Sequence, residues 1–113
     1  MPVELHRAGL AHARELVSAH QYVKDSDWSD AQPSREDEND FIEQHDYDAF
    51  GRWHLAVDTD EGEGTKGHYK FPFGDFRRLH RSALIAIKQR AGEWDYGDVQ
   101  GAADELLADV PED

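Results

Sequence analysis

Apolar positions recur along the chain at spacings that predict about four helices and one β-hairpin. The first group repeats about every 3.6 residues and predicts a helix from Val3 to His20, which fills most of an N-terminal segment of residues 1–22. The apolar row of that helix consists of Leu5, Ala8, Leu16 and Ala19. A polar stretch over residues 24–33 follows, and we interpret it as a linker.

Ser34 has the features of a helix start. Pro33 precedes it, and acidic residues fill the next turn, where carboxylates interact favourably with the positive end of the helix dipole. The sequence therefore predicts an acidic helix that ends near His45 and buries Phe41 and Ile42.

Apolar and polar positions alternate in the middle of the chain, which predicts the two strands of a hairpin. The apolar positions are Trp53, Leu55 and Val57 in the first strand and Tyr69, Phe71 and Phe73 in the second. A glycine-rich loop over residues 58–67 joins them. Because Pro72 has no N–H to donate to a strand ladder, the second strand is predicted to be an edge strand or to end there.

Two further helices are predicted after the hairpin. The first runs from Leu79 to Ala91, with Leu84 on its buried face and Gly92 in the C-cap position. Asp98 is predicted to cap the second, which extends to about Val110.

These elements predict an α+β fold, in which about four helices pack on a short antiparallel β-hairpin. The 113 residues, 38% of them hydrophobic, fit a single small domain over residues 1–113. Within it, residues 34–110 form the hairpin-plus-helices unit, and residues 111–113 are predicted to be a frayed tail.

The composition excludes several classes of protein. Without cysteine, the chain has neither a disulfide framework nor a thiolate metal site. Its longest apolar run, residues 83–87, is far shorter than the roughly 20 residues of a membrane-spanning helix, and charges interrupt the first 16 residues. We therefore expect a cytoplasmic protein with no membrane partner. Many carboxylates and only four Lys are also typical of halophilic adaptation.

Charge is distributed very unevenly along the chain. The 25 acidic and 12 basic residues give a net charge of −13. The segment from Lys66 to Arg90, called the basic segment below, carries seven basic residues and a single acid, Asp75, and has a net charge of +6. The rest of the chain carries −19. Three interpretations remain open: neutralisation within the molecule, self-association, or a surface for anions or nucleic acid.

The basic segment supplies the candidate interaction surface. Its residues are Lys66, Lys70, Arg77, Arg78, Arg81, Lys88, Arg90, Tyr69 and Phe76. We expect a non-catalytic protein-interaction module that contacts an acidic partner or a second copy of itself. Aromatic residues between cations also favour weak single-stranded nucleic-acid binding, an alternative that the net charge of −13 opposes.

A further alternative uses the acidic part of the chain. In this hypothesis a row of carboxylates imitates DNA phosphates and inhibits a nucleic-acid-binding protein. The row consists of Glu36, Asp37, Glu38, Asp40, Glu43, Asp46 and Asp48.

Sequence motifs for catalysis are absent. The chain has no HExxH, no GxSxG and no glycine-rich phosphate loop. A calcium-loop-like stretch from Asp58 places Glu63 where glycine is required and Tyr69 where glutamate is required. No base can be assigned to any of the five serines, Ser18, Ser26, Ser29, Ser34 and Ser82, and the seven histidines are predicted to lie on the surface. We expect no enzyme activity, no cofactor and no metal ion.

Three stretches together resemble small uncharacterised domains of bacteria and their phages. They are Lys70-Phe71-Pro72-Phe73-Gly74, the helix start Arg81-Ser82-Ala83-Leu84, and Ala102-Ala103-Asp104-Glu105-Leu106-Leu107. Some of those domains are similar to segments that accompany phage head-maturation proteases. The resemblance covers about residues 50–108, includes no protease active-site residue, and implies a phage-derived domain that acts by contact with other proteins.

Overall fold

The computed structural model describes residues 3–62 and 64–110, and these residues confirm the α+β class. The α-helices among them are α1 (Arg7–Ser18), α2 (Trp28–Ala31), α3 (Arg35–Gln44), α4 (Tyr47–Gly51), α5 (Arg81–Glu93) and α6 (Gly97–Asp109). The strands are β1 (Val3–Leu5), β2 (Tyr22–Val23), β3 (His54–Asp58), β4 (Tyr69–Pro72) and β5 (Leu79–His80). The predicted tail, residues 111–113, lies outside the described residues.

The larger sheet contains the predicted hairpin. Strand β3 lies between β1 and β4 in a three-stranded antiparallel sheet, and Val57 pairs with Tyr69 in its register. Strand β4 is at the sheet edge and ends at Pro72, as predicted. Because β3 is the central strand, residues 54–57 are all buried, and the polar face that alternation predicted for it does not exist.

The N-terminal segment differs from its prediction at both ends. Residues Val3–Leu5 form β1, which pairs with β3, and the helix begins only after His6, whose N–H donates to the carbonyl of Leu55 at 2.9 Å. The helix ends at Ser18, and β2 then pairs in parallel with β5. Strands of two or three residues are too short to show a period, so the sequence predicted a single helix through this region.

Two short helices, α2 and α4, bring the α-helices of the described residues to six, against about four predicted. The predicted linker contains α2, which Asp27 caps by accepting from the N–H of Ser29 at 3.0 Å. Asp46 caps α4 by accepting from the N–H of Ala49 at 2.7 Å. Ser34 is confirmed as the N-cap of α3.

Helix α5 begins two residues later than predicted. Leu79 and His80 are in strand conformation, because their N–H groups donate to the carbonyls of Gln21 (3.0 Å) and Phe73 (2.9 Å). At the other end Gly92 lies inside the helix, and Trp94 is the C-cap. Leu84 is fully buried, as the sequence predicted, and it lies in the same core as Phe73.

Helix α6 is capped by Tyr96, so the assignment of Asp98 as its N-cap is wrong. Asp98 lies in the first turn and connects two elements instead. Its Oδ1 accepts from the N–H of Val99 at 2.8 Å, and its Oδ2 accepts from the N–H of Leu5 in β1 at 3.0 Å.

Two hydrophobic clusters stabilise the fold. The larger packs α1, α5 and α6 against the sheet, and its fully buried side chains include Leu55, Phe73 and Leu84. The smaller consists of Phe50, Val57 and Tyr69 beneath α4. Within residues 3–62 and 64–110, no helix combines the length and the apolar character that crossing a membrane requires.

Candidate functional site

Three cations of the basic segment are bound by groups of the same molecule. Lys66 Nζ lies 3.5 Å from Glu38 Oε1, and Lys88 Nζ lies 2.7 Å from Asp104 Oδ1. Arg81 Nε donates to the carbonyl of Val110 at 3.2 Å. For these residues the packing favours neutralisation within the molecule.

The two aromatic residues predicted for the surface are used in packing. Tyr69 is 9% exposed and belongs to the smaller hydrophobic cluster, so it contributes no exposed ring, which corrects its place on the predicted surface. Phe76 is half-buried and stacks on Phe41 with a centroid distance of 4.4 Å. Phe73 is fully buried as well. Tyr69 and Phe73 therefore present no exposed ring on which a nucleic-acid base could stack.

Arg77 and Arg78 lie in the loop between β4 and β5. Their backbone N–H groups donate to Asp75 Oδ1 at 3.0 and 2.8 Å, which fixes the turn, while the residues themselves are exposed. Arg77 also borders an open groove that contains Asp37 and Asp40 of α3. Arg77 thus lies beside acids of its own chain.

The remaining two cations border an aromatic groove of about 360 Å³. We call this surface the Trp94 face and define it as Lys70, Phe71, Arg90, Trp94 and Tyr96. Phe71 and Tyr96 meet edge to face at 6.2 Å. Asp58 brings a carboxylate to the groove, and its Oδ1 accepts from the N–H of Asp60 at 2.9 Å.

Two unusual backbone conformations shape the Trp94 face. Phe71 has a φ of 61°, a strained value for a bulky residue, and its ring packs against the larger cluster rather than with Tyr69 in the smaller one. Asp95 has a φ of 59° and turns the chain sharply after α5. The turn leaves Trp94 57% exposed, and Trp94 and Ile85 (37%) are the large hydrophobic side chains that reach solvent among the described residues.

The acidic row is partly used for folding. Its members on α3 include Asp37, which forms a capping box with Ser34, and Glu38, which pairs with Lys66. Asp46 caps α4. The other four carboxylates of the row, Glu36, Asp40, Glu43 and Asp48, are exposed.

A hydrogen-bonded group of side chains, which the sequence did not predict, links Ser26 to three residues around β5 and the start of α5. Ser26 Oγ lies 2.7 Å from His80 Nδ1 and 3.0 Å from Ser82 Oγ. His80 Nε2 lies 2.9 Å from Asp75 Oδ2. We call Ser26, His80, Asp75 and Ser82 the Ser26 relay. His80 is 4% exposed and His54 is 3% exposed, so the prediction that all histidines lie on the surface is wrong.

The fold builds the Ser26 relay by pairing β2 with β5. Val23 is opposite His80 in this parallel pair, so the loop that follows β2 carries Ser26 to the imidazole. Ser82 is in the first turn of α5, directly after β5. Ser26 and His80 are 54 residues apart, and no local pattern in the sequence signals their contact.

The carboxylate of Asp75 fixes the direction of the hydrogen bonds. Burial alone would raise the pKa of Asp75, but the hydrogen bonds from His80 and from the N–H groups of Arg78 and Arg77 hold the pKa below its usual value. An ionised carboxylate only accepts, so Nε2 of His80 carries the proton. In the neutral ring Nδ1 is then unprotonated, and the Ser26 hydroxyl donates to it.

No group of three or more histidine or carboxylate side chains within residues 3–62 and 64–110 is arranged to hold a metal ion. Comparisons with protein-family models, curated proteins and solved structures find no match.

Proposed function

We propose that this protein is a protein-interaction module, and that the Trp94 face binds a short acidic segment of a partner protein. The observation that carries the proposal is an exposed tryptophan between two available cations. Within the described part of the chain the side chains of Lys70 and Arg90 make no ion pair or hydrogen bond, and Trp94 is 57% exposed.

The residue types of the Trp94 face favour contact with a protein. Tryptophan, tyrosine and arginine contribute most of the binding energy at many interfaces, because they bury a large area with few rotatable bonds or form paired hydrogen bonds with carboxylates. Arg90 and Lys70 match aspartate or glutamate, and the rings of Trp94 and Phe71 offer an apolar contact beside them. A ligand that combines an acidic and an apolar side chain therefore fits both the cations and the aromatic rings.

The net charge of −13 gives the proposed interaction an identifiable kinetic signature. An acidic ligand is repelled by the whole molecule at long range but attracted by Lys70 and Arg90 at short range. Added salt screens both effects. We expect the association rate to rise with salt while the dissociation rate also rises, because the contacts that hold the bound ligand are screened.

Peptide display provides the test. Random peptides are selected on the native protein and counter-selected on the Trp94→Ala/Arg90→Glu variant. The expected result is enrichment of peptides with Asp or Glu next to an apolar residue, and a loss of affinity of roughly tenfold or more in the Arg90→Glu variant.

Arg35→Glu is the matched control, because it makes the same charge change at an exposed arginine on α3. It should leave peptide affinity within about twofold of native. Peptides that bind the native protein and Arg90→Glu equally well would contradict the proposal. Light scattering tests whether a second copy of this chain, rather than a partner protein, binds the Trp94 face. A dimer that dissociates in the Arg90→Glu variant would assign the face to self-association.

A further inference from the structure

We infer that Ser26 is an activated nucleophile that takes an acyl group from a small carboxylic ester and transfers it to water. The reacting groups belong to the Ser26 relay, none of which is part of the Trp94 face, although the neighbouring groove shares Phe71 and Arg90 with that face. It departs from the expectation, drawn from the sequence, that the chain is not an enzyme.

Ser26, His80 and Asp75 are arranged as a nucleophile, a base and a group that orients the base. A serine becomes nucleophilic when a general base lies within hydrogen-bond reach and a third group orients that base. Here Ser26 Oγ is 2.7 Å from His80 Nδ1, and His80 Nε2 is 2.9 Å from Asp75 Oδ2. The hydrogen bond that one ring nitrogen makes determines which nitrogen carries the proton, so Nδ1 can act as the base while Nε2–H faces the carboxylate.

The hydrogen bonds of the relay run in one direction, from Ser26 to His80 and from His80 to Asp75. Asp75 also accepts two backbone N–H groups, from Arg77 and Arg78, so its carboxylate is held in place from two sides. It keeps the proton of His80 on Nε2 and leaves Nδ1 free to accept the Ser26 proton. Asp75 is thus a positioning residue for His80, and Ser26 and His80 are the catalytic residues.

The N-terminus of α5 provides hydrogen-bond donors for the negative charge that develops on the substrate oxygen. Helix α5 begins directly after His80 and has 13 residues, and no side chain of its N-cap residue caps it. The N–H groups of a first helical turn lack partners within the helix, and the dipole there favours negative charge. The Ser82 hydroxyl lies 3.0 Å from Ser26 Oγ, and we assign to it, together with the N–H groups of this turn, the role of donor to the oxyanion.

Space and access favour a small acyl group. Ser26 is half-buried, so its hydroxyl is not sealed from solvent, whereas His80 is 4% exposed. Trp28 packs on the His80 ring at 5.5 Å. Trp28 also borders a groove of about 260 Å³ together with Ala83, the residue after Ser82, and Ile87. Because Trp28 contacts His80 and Ala83 follows Ser82, this groove adjoins the relay, and we assign a short acyl chain to it.

The chemical steps balance with water as the only co-reactant. Ser26 Oγ attacks the ester carbonyl carbon while its proton moves to His80 Nδ1. The bond from that carbon to the leaving oxygen breaks, and the proton on Nδ1 passes to the departing alcohol. Water then attacks the Ser26 ester, its proton moves to Nδ1, the bond to Oγ breaks, and the proton returns to Oγ with release of the carboxylic acid.

The test uses the full chain and 4-nitrophenyl acetate. The expected result is release of 4-nitrophenol and the mass gain of one acetyl group, which peptide mapping assigns to Ser26. Ser29 is the internal control, because it is three residues away, exposed, and donates only to Asp27 Oδ1 at 2.7 Å. Ser26→Ala should remove the acetyl group, and Ser29→Ala should leave it.

Asp75→Asn separates activation from stability. The asparagine oxygen can still accept from the backbone N–H groups, but its NH₂ group turned to Nε2 moves the ring proton to Nδ1, where it can no longer accept from Ser26. We expect acetylation of Ser26 to slow on the order of 100-fold in protein that circular dichroism shows to be folded. A purely structural role would lower the unfolding midpoint and leave the acetylation rate unchanged.

Unfolding supplies a measurement that depends on no variant. In concentrated urea the relay is lost, and Ser26 should react no faster than Ser29. The inference is overturned if Ser26 of the native protein is acetylated no faster than Ser29, or if its rate is the same in the native and the urea-unfolded chain.

Discussion

The imidazole of His54 makes stability depend on pH in a defined range. His54 is 3% exposed, and its Nδ1–H donates to the carbonyl of Phe50 at 2.9 Å. Burial lowers the pKa of His54 to about 4, the hydrogen bond to Phe50 opposes this in part, and nearby His6 lowers the pKa further. The folded protein therefore holds this side chain neutral where the unfolded chain would protonate it.

We expect the free energy of unfolding to fall as pH is lowered from 6.5 to 4. Between these values the unfolded chain, with the ordinary pKa of 6.5, binds a proton that the folded protein does not bind. The loss from His54 approaches about 3 kcal/mol below pH 4. Urea unfolding at a series of pH values measures it.

His54→Asn isolates this contribution. The asparagine amide can donate to Phe50 but does not titrate, so the pH slope between 6.5 and 4 should flatten even if the absolute stability falls. A residual slope is expected from His12, because burial lowers its pKa too, a shift that Glu15 opposes and Arg52 adds to. Asp75 contributes in the same direction at lower pH. An unchanged slope would contradict the assignment to His54.

Gly9 and Gly101 are both helical glycines, yet they should respond oppositely to alanine. A Cβ on Gly9 would overlap the carbonyl oxygen of His54, whereas a Cβ on Gly101 would have no atom within 4 Å. Gly9→Ala forces α1 away from β3 and should destabilise the protein by about 2 kcal/mol. Gly101→Ala removes backbone freedom from the unfolded chain and should stabilise by roughly 0.5–1 kcal/mol. Thermal unfolding of both variants checks the pair, and equal shifts would contradict it.

Helix α5 gives a sharp contrast between two adjacent residues. Leu84 is fully buried in the larger cluster, and Ile85 is 37% exposed. Leu84→Asp places an unpaired carboxylate among apolar side chains, at a cost on the order of several kcal/mol, comparable with the whole stability of a domain of this size. Ile85→Asp leaves the carboxylate in water. Far-ultraviolet circular dichroism should show Leu84→Asp unfolded and Ile85→Asp folded, and a folded Leu84→Asp would refute the assigned core face.

The elements that the sequence predicted well are those long enough to repeat a pattern. Helix α3 carries a clear cap at Ser34, and the α5 face through Leu84 carries a clear period. The strands it missed, β1, β2 and β5, have two or three residues each and take their hydrogen bonds from distant strands. Their existence follows from tertiary pairing, which a local pattern does not record.

The candidate sites show the same division. The charge count along the chain located Lys70 and Arg90 of the Trp94 face, but Trp94 itself lies beyond the basic segment and entered the face only because the chain turns at Asp95. The contact of Ser26 with His80 depends on the β2–β5 pair. The sequence alone therefore identified the cations of the Trp94 face, but it did not reveal the contacts that form the Ser26 relay.

At the scale of the whole molecule, the net charge of −13 opposes folding. Compacting the chain brings its carboxylates closer together, and most of the cations that offset them lie in the basic segment. Lys66 and Lys88 each pair with an acid from outside that segment, but pairs that remain partly exposed contribute little to stability. The repulsion among the exposed carboxylates of α3 is therefore reduced mainly by ions in solution.

We expect the free energy of unfolding to rise when NaCl increases from about 0.01 to about 0.5 M, over which the Debye length falls from about 30 Å to less than 10 Å. Neutralising three exposed acids of α3, by Glu36→Gln, Asp40→Asn and Glu43→Gln, makes the net charge less negative, −10 instead of −13. This variant should be more stable than the native protein in low salt and respond less to added salt. Urea unfolding at each salt concentration measures both effects.

The matched control removes three exposed cations instead, by Arg7→Gln, Lys24→Gln and Arg35→Gln, and makes the net charge more negative, −16. Its salt response should be steeper than that of the native protein. If the three proteins respond to salt alike, repulsion is not what salt relieves, because screening scales with the charge present. A salt dependence of stability that grows with the size of the negative charge would instead show that the fold does not neutralise the acidic excess, −19 against +6. Such an unneutralised excess is expected of a chain adapted to high salt.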